Sequence, residues 1–157
     1  MNTLSDNNNS GKRLSLIQLY MRLALGIGYL VPALDRLGVW GAPGGHNISW
    51  GDWDHFSVYA HQVMGFLPYG LASVLAVAAT IAELIFGVLL LIGWQTRLAA
   101  TGSGFLALGF ALSMAVSFGI VSPLSYSVFV VSASSFLLAT IPHYRWSLDE
   151  RRRRARA

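Results

Sequence analysis

An all-α integral membrane protein, a four-helix bundle with one short amphipathic external helix, is what the sequence predicts on three observations. The 157 residues are 54% apolar and only 11% charged, against about 25% charged in an ordinary soluble domain. The charges crowd into the two ends and one loop. The long stretches between them are apolar and reach the roughly 20 residues that a helix needs to cross a bilayer. Cysteine is absent, which excludes disulfide exchange, thiolate iron–sulfur ligation, covalent haem attachment and cysteine zinc sites. The net charge of +4 is not a nucleic-acid face, because five of the eleven basic residues are Arg151, Arg152, Arg153, Arg154 and Arg156 in the tail.

Residues 1–13 are polar and aperiodic and read as a disordered cytoplasmic leader. Residues 14–142 form the membrane domain. Its first span, 14–37, follows Lys12 and Arg13 but is too long for a secretory signal core, has no small-residue cleavage site and contains Arg22. Pro32 is placed to bend its outer end. Residues 38–68 are the one sizeable loop. Within it Ser49-Trp50-Gly51-Asp52 has the form of a capping box, and Trp53, Phe56, Ala60, Val63, Met64 and Leu67 follow at helical spacing. This predicts a short amphipathic helix at the membrane surface, its tryptophans near the headgroups. The remaining spans are 69–94, 98–121 and 124–142, with tight turns at Gln95-Thr96-Arg97 and Ser122-Pro123. Residues 143–157 are a basic cytoplasmic tail behind an interfacial His143-Tyr144-Arg145-Trp146 anchor.

With four crossings, nine of the lysines and arginines share one side, Arg36 stands alone on the other and Arg22 lies within a span. The positive-inside rule then places both termini in the cytoplasm. Helices in lipid associate through small residues, and Ala99, Ser103, Ala107, Ala111, Ala115 and Gly119 make such a stripe along the third span. Ala79 and Gly87 bracket Glu83 on a similar stripe, which points this carboxylate into protein.

Glu83 falls near the middle of its span, where an ionised carboxylate must be paired, hydrated or protonated. Its expected partner is Arg22, on a first-helix face that also carries Gly26, Tyr29, Ala33 and Arg36. Asp35 and Arg36 are expected to snorkel at the external end. Two readings of the Arg22–Glu83 pair stand at even odds: a buried pair that fixes helix register, or a functional pair in a quinone, proton or small-solute site. Gly26 and Gly28 serve either helix contact or room for a ligand, and Tyr29 with Gly26 is the candidate wall of a quinone pocket. No metal site is expected, since His46, His55 and His61 lie on the loop and His143 lies at the opposite edge. No phosphate loop, dinucleotide fingerprint or nucleophile elbow occurs.

Leu19-Tyr20-Met21-Arg22-Leu23, Asn47-Ile48-Ser49-Trp50-Gly51-Asp52-Trp53, Ala82-Glu83-Leu84 through Gly87, Leu90-Leu91-Ile92-Gly93 and Thr96-Arg97 resemble the DoxX family of small bacterial membrane proteins, over residues 16–142. The resemblance implies a four-helix membrane fold in the cell inner membrane. Its better-known relatives include the membrane subunit of a thiosulfate:quinone oxidoreductase. By that resemblance the chain is a membrane subunit or anchor of a quinone-linked oxidoreductase system, with the lipid bilayer and a redox protein as partners. Lacking cysteine and any cofactor motif, it is not a self-sufficient enzyme. The alternatives are a small-solute or ion carrier gated by the same pair, and a scaffold that recruits other proteins.

Overall fold

The computed structural model describes residues 3–156. Among them there are seven helices and no strand: α1 Thr3–Asp35, α2 Trp53–Val63, α3 Tyr69–Ile92, α4 Thr96–Phe118, α5 Val121–Ser125, α6 Val128–Thr140 and α7 Leu148–Arg154. Three apolar stretches are long enough to cross a membrane: Gly11–Asp35 within α1, α3 and α4. The fourth expected span is broken. Helix α6 rises only about 20 Å, short of the ~30 Å hydrocarbon core, and α5 precedes it across Tyr126 and a left-handed Ser127 at φ 56°. Pro123, expected in a turn, lies in the first turn of α5, where its missing N–H costs nothing. The chain reverses instead at Gly119 and Ile120.

The expected leader also differs. Met1 and Asn2 lie outside the described residues, and from Thr3 the backbone already belongs to α1. Adding a residue to an existing helix is far cheaper than nucleating one, so the long apolar helix carries its polar extension with it. Ala157 of the tail lies outside the described residues too, and within the tail residues 148–154 form α7.

The bundle consists of two close pairs, α1 with α3 and α4 with α6, joined through α3 and α4. Small residues set both pairs. A Cβ on Gly87 would stand 2.6 Å from Leu30 Cγ and 3.0 Å from the Gly26 carbonyl, so the α1 and α3 backbones touch there. On α4, Ala99, Ser103, Ala107 and Ala111 are all buried. The Ser132 hydroxyl of α6 donates to the Gly104 carbonyl of α4 at 2.8 Å, beside a glycine face covered by Phe136.

Helix α2 runs lengthwise along the first half of α3. Phe56 lies against Arg36 at the level of Thr80, Ala60 clusters with Ala76, and His61 Nε2 meets Ser73 Oγ at 2.9 Å. It covers the part of α3 that α1 does not reach. Its N-cap is Asp52, whose carboxylate accepts the His55 N–H at 2.8 Å. The expected Ser49 cap is displaced because the Ser49 and Trp50 N–H groups both donate to Asp35.

At the opposite end the carboxy-terminal segment closes the bundle. Asp149 serves as a cap for α4 from 53 residues away: it accepts the Gln95 N–H, the Thr96 N–H and the Thr96 hydroxyl, each at 2.8 Å. Gly93, at φ 69°, permits this closure, since a Cβ there would meet Ser147 at 2.5 Å.

Candidate functional site

The glycine contact fixes the antiparallel register of α1 on α3, and that register decides which cation reaches Glu83. With Gly26 against Gly87, the end of α1 falls beside Thr80 and Glu83. Arg36 Nη1 donates to Glu83 Oε2 at 2.5 Å and to Thr80 Oγ1 at 3.0 Å, and Nη2 donates to Glu83 Oε1 at 3.3 Å. The two side chains are 6% and 4% exposed, so this ion pair is desolvated. The guanidinium also lies 4.0 Å from the Phe56 ring centroid and 5.2 Å from that of Trp50. These rings supply the face of a cation–π contact while they exclude water. Along α3, Glu83 stands about 21 Å from Tyr69 and about 14 Å from Ile92, well inside an apolar span.

The expected Arg22–Glu83 pair is therefore corrected. Arg22 is buried, but its Nη2 donates to the Trp146 carbonyl at 2.8 Å and its Nη1 to that of Arg145 at 3.5 Å. It clamps the carboxy-terminal segment, one helix end away from Glu83. Asp35 and Arg36 do not snorkel: both are buried, and Asp35 Oδ2 accepts the Ser49 and Trp50 N–H groups at 3.1 and 2.9 Å. Tyr29 and Gly26, expected at a quinone pocket, are absent from the lining of the cavity described below. The Tyr29 hydroxyl donates to the Ser103 carbonyl at 2.7 Å, and a Cβ on Gly26 would clash with Leu91. Both residues hold helices together. The inward face formed by Arg22, Gly26, Tyr29, Ala33 and Arg36 is buried along its whole length.

A cavity of about 890 Å³ opens beside the Arg36–Glu83 pair, between α2, α3, α4 and the start of α6. Trp50, Phe56, Tyr59, Phe105, Phe110 and Tyr126 give it aromatic walls. Ala76, Ala79, Ala82 and Gly109 make room where larger side chains would fill it. Arg36 Nε is buried with no hydrogen-bond partner, an unspent donor at the polar end of an apolar cleft.

A family model described as DoxX matches residues 17–122. The chain belongs to the DoxX family. The DoxX match runs from the middle of α1 to the start of α5 and so includes Arg36, Glu83 and most of the cavity wall. It is a multi-pass membrane protein, as its DoxX membership and apolar helices require. No curated protein and no solved structure matches it. In this DoxX chain the burial of Glu83 is legible in the sequence and its pairing with Arg36 is not, because an α1 running to the outer surface would leave its last cation at the interface. Pairing Gly26 with Gly87 as the contact point would have brought Arg36 to Thr80 and Glu83. The aromatic wall comes from α2, α4, the loop and the turn between α5 and α6, and no local pattern announces it.

Proposed function

We propose that this DoxX protein is a membrane subunit of a quinone-linked oxidoreductase system, and that the cavity beside Arg36 and Glu83 receives the quinone headgroup. The observation that carries the reading is one cleft with aromatic walls and a single buried ion pair at its inner end. Mostly apolar walls with a few convergent polar groups are the usual make-up of a small-molecule site. A planar ring bearing carbonyl oxygens fits that division. The residues present suit it: Phe56 and Trp50 offer ring faces, and the unpartnered Arg36 Nε supplies a donor for a carbonyl oxygen.

A bound quinone would supply two-electron, two-proton chemistry, with a partner redox protein as the electron source. Arg36 holds and orients the headgroup oxygen. Glu83 gives or takes a proton at its carboxylate. The aromatic walls keep water away from both. Thr80, which donates to the Ala76 carbonyl and accepts from Arg36, fixes the guanidinium while Glu83 changes protonation.

We infer that the chain sits in a bacterial inner membrane with both termini in the cytoplasm. Gln18 and Arg22 bind the carbonyls of Arg145 and Trp146, and Asp149 caps the turn at Thr96. The basic leader, Arg97 and the arginine tail thus share one end, which the positive-inside rule assigns to the cytoplasm.

Lipid extraction of gently purified protein, with quinones quantified by mass spectrometry, tests the reading. Wild type retains quinone, and Glu83→Gln or Arg36→Met loses it. No quinone in wild type, together with Glu83-dependent solute uptake into vesicles, would replace this reading with a carrier.

A further inference from the structure

A second cavity, of about 480 Å³, lies at the end of the bundle away from the Arg36–Glu83 pair, between the first turns of the apolar part of α1 and the carboxy-terminal segment. Lys12, His143, Arg145, Arg153 and Arg154 stand around it with two carboxylates, Asp149 and Glu150. Both carboxylates already have hydrogen-bond donors. Asp149 caps α4 through Gln95 and Thr96, and Glu150 accepts the Trp146 N–H at 2.9 Å and Arg154 at 2.6 Å. Among the described residues Lys12, Arg145 and Arg153 enter no salt bridge. Arg153 instead points at His143, Nη1 to Nδ1 3.3 Å, and Arg145 lies over the Trp146 ring. Four cations, Lys12, Arg145, Arg153 and Arg154, against two carboxylates leave an excess of two positive charges around one opening, which an added anion relieves.

The surroundings say which anion. The adjoining face of α1 presents Leu14 and Ile17 at 50% and 54% exposure, with Trp146 exposed nearby. A charged rim directly above an apolar helix face is a water–lipid boundary, and tryptophan favours that level. The carboxy-terminal segment is also held firmly. Gln18 Nε2 donates to the Arg145 carbonyl at 3.0 Å, and Arg22 clamps the carbonyl of Trp146, so Arg145 is presented from a fixed backbone.

We propose that this cavity binds the phosphate headgroup of an anionic phospholipid, with Lys12, Arg145 and Arg153 on the phosphate oxygens and an acyl chain laid along Leu14 and Ile17. Basic cavities between helices on the cytoplasmic side are a known form of lipid recognition. The site is separate from the quinone cavity and stands whether or not that reading holds. Arg22 then has a role as a positioning residue: it anchors the segment that carries Arg145.

The test uses the full chain in zwitterionic nanodiscs doped with phosphatidylglycerol or cardiolipin, counting retained anionic lipid by native mass spectrometry. Each single neutralisation, Lys12→Gln, Arg145→Gln or Arg153→Gln, weakens retention about fivefold, and the three together about a hundredfold. The control triple Arg151→Gln, Arg152→Gln and Arg156→Gln removes the same charge outside the cavity and leaves retention within about twofold. Equal loss in both triples means diffuse surface attraction and overturns the proposal. Displacement of the lipid by millimolar inorganic phosphate overturns the lipid assignment in favour of a free-anion site. If the triple fails to fold, the singles carry the test, and retention unchanged in all of them overturns the site.

Discussion

Removing one partner of the Arg36–Glu83 pair leaves a charge in a place built to hold two. Both side chains are almost fully enclosed, with paired contacts at 2.5 and 3.3 Å. Two unit charges about 4 Å apart attract by about 4 kcal/mol at an effective dielectric of 20. Breaking a buried pair by truncating one side costs about 3–5 kcal/mol, whereas replacing both members by apolar groups of similar volume is often close to neutral. Arg36→Met and Glu83→Met are therefore each expected to lose about 3–5 kcal/mol, and the double variant to lose far less than their sum. The corresponding interaction energy is at least about 3 kcal/mol. Reversible unfolding in mixed micelles, followed by tryptophan fluorescence, measures it. The same cycle run on Arg22 and Glu83 gives a coupling under about 0.5 kcal/mol, because Arg22 shares no partner with Glu83. An Arg36–Glu83 coupling near zero, or an Arg22–Glu83 coupling larger than it, refutes the register of α1 on α3.

Further outcomes follow from other contacts. Asp149→Ala removes three hydrogen bonds at the start of α4 and costs about 1–2 kcal/mol, read in the same unfolding assay. Gly87→Val forces α1 off α3 at the Leu30 contact and costs about 1–3 kcal/mol, with loss of the Arg36–Glu83 coupling as the second readout. The backbone N–H of His55, and then its ring, hold the Asp52 carboxyl below the usual aspartate range. A depressed folded value means that the α2 cap is in place above the ordinary aspartate pKa of about 3.9 and is lost as pH falls through the folded value. Tryptophan fluorescence from Trp50 and Trp53 should thus shift below about pH 4, and Asp52→Asn should remove that transition.

Much of the fold was legible because lipid imposes simple rules. Apolar length announced α1, α3 and α4, and the small residues on α4 and at Gly87 announced which faces would meet. Glu83 was legible for the same reason, since a carboxylate within a long apolar run has few explanations. Its partner was not. Arg22 and Arg36 share one face of α1, and choosing between them needs the axial offset of α1 against α3, which one chain's hydropathy does not contain. The break at Tyr126 and Ser127 escaped notice because residues 124–142 remain apolar across it, and a left-handed serine leaves no trace in composition. The capping of α4 by Asp149 is a long-range contact for which the local sequence carries no signal.

A quinone seated in the cleft beside Arg36 and Glu83 needs open space there. Gly109 lines that cleft, and a Cβ there meets nothing within 4 Å, so Gly109→Trp plugs the space without disturbing the ion pair. Quinone content per protein, measured on equal amounts of folded wild type and Gly109→Trp, is the most direct measurement. About one quinone per chain is expected in wild type and next to none in the plugged protein; equal content in both would mean that the quinone is not in this cleft.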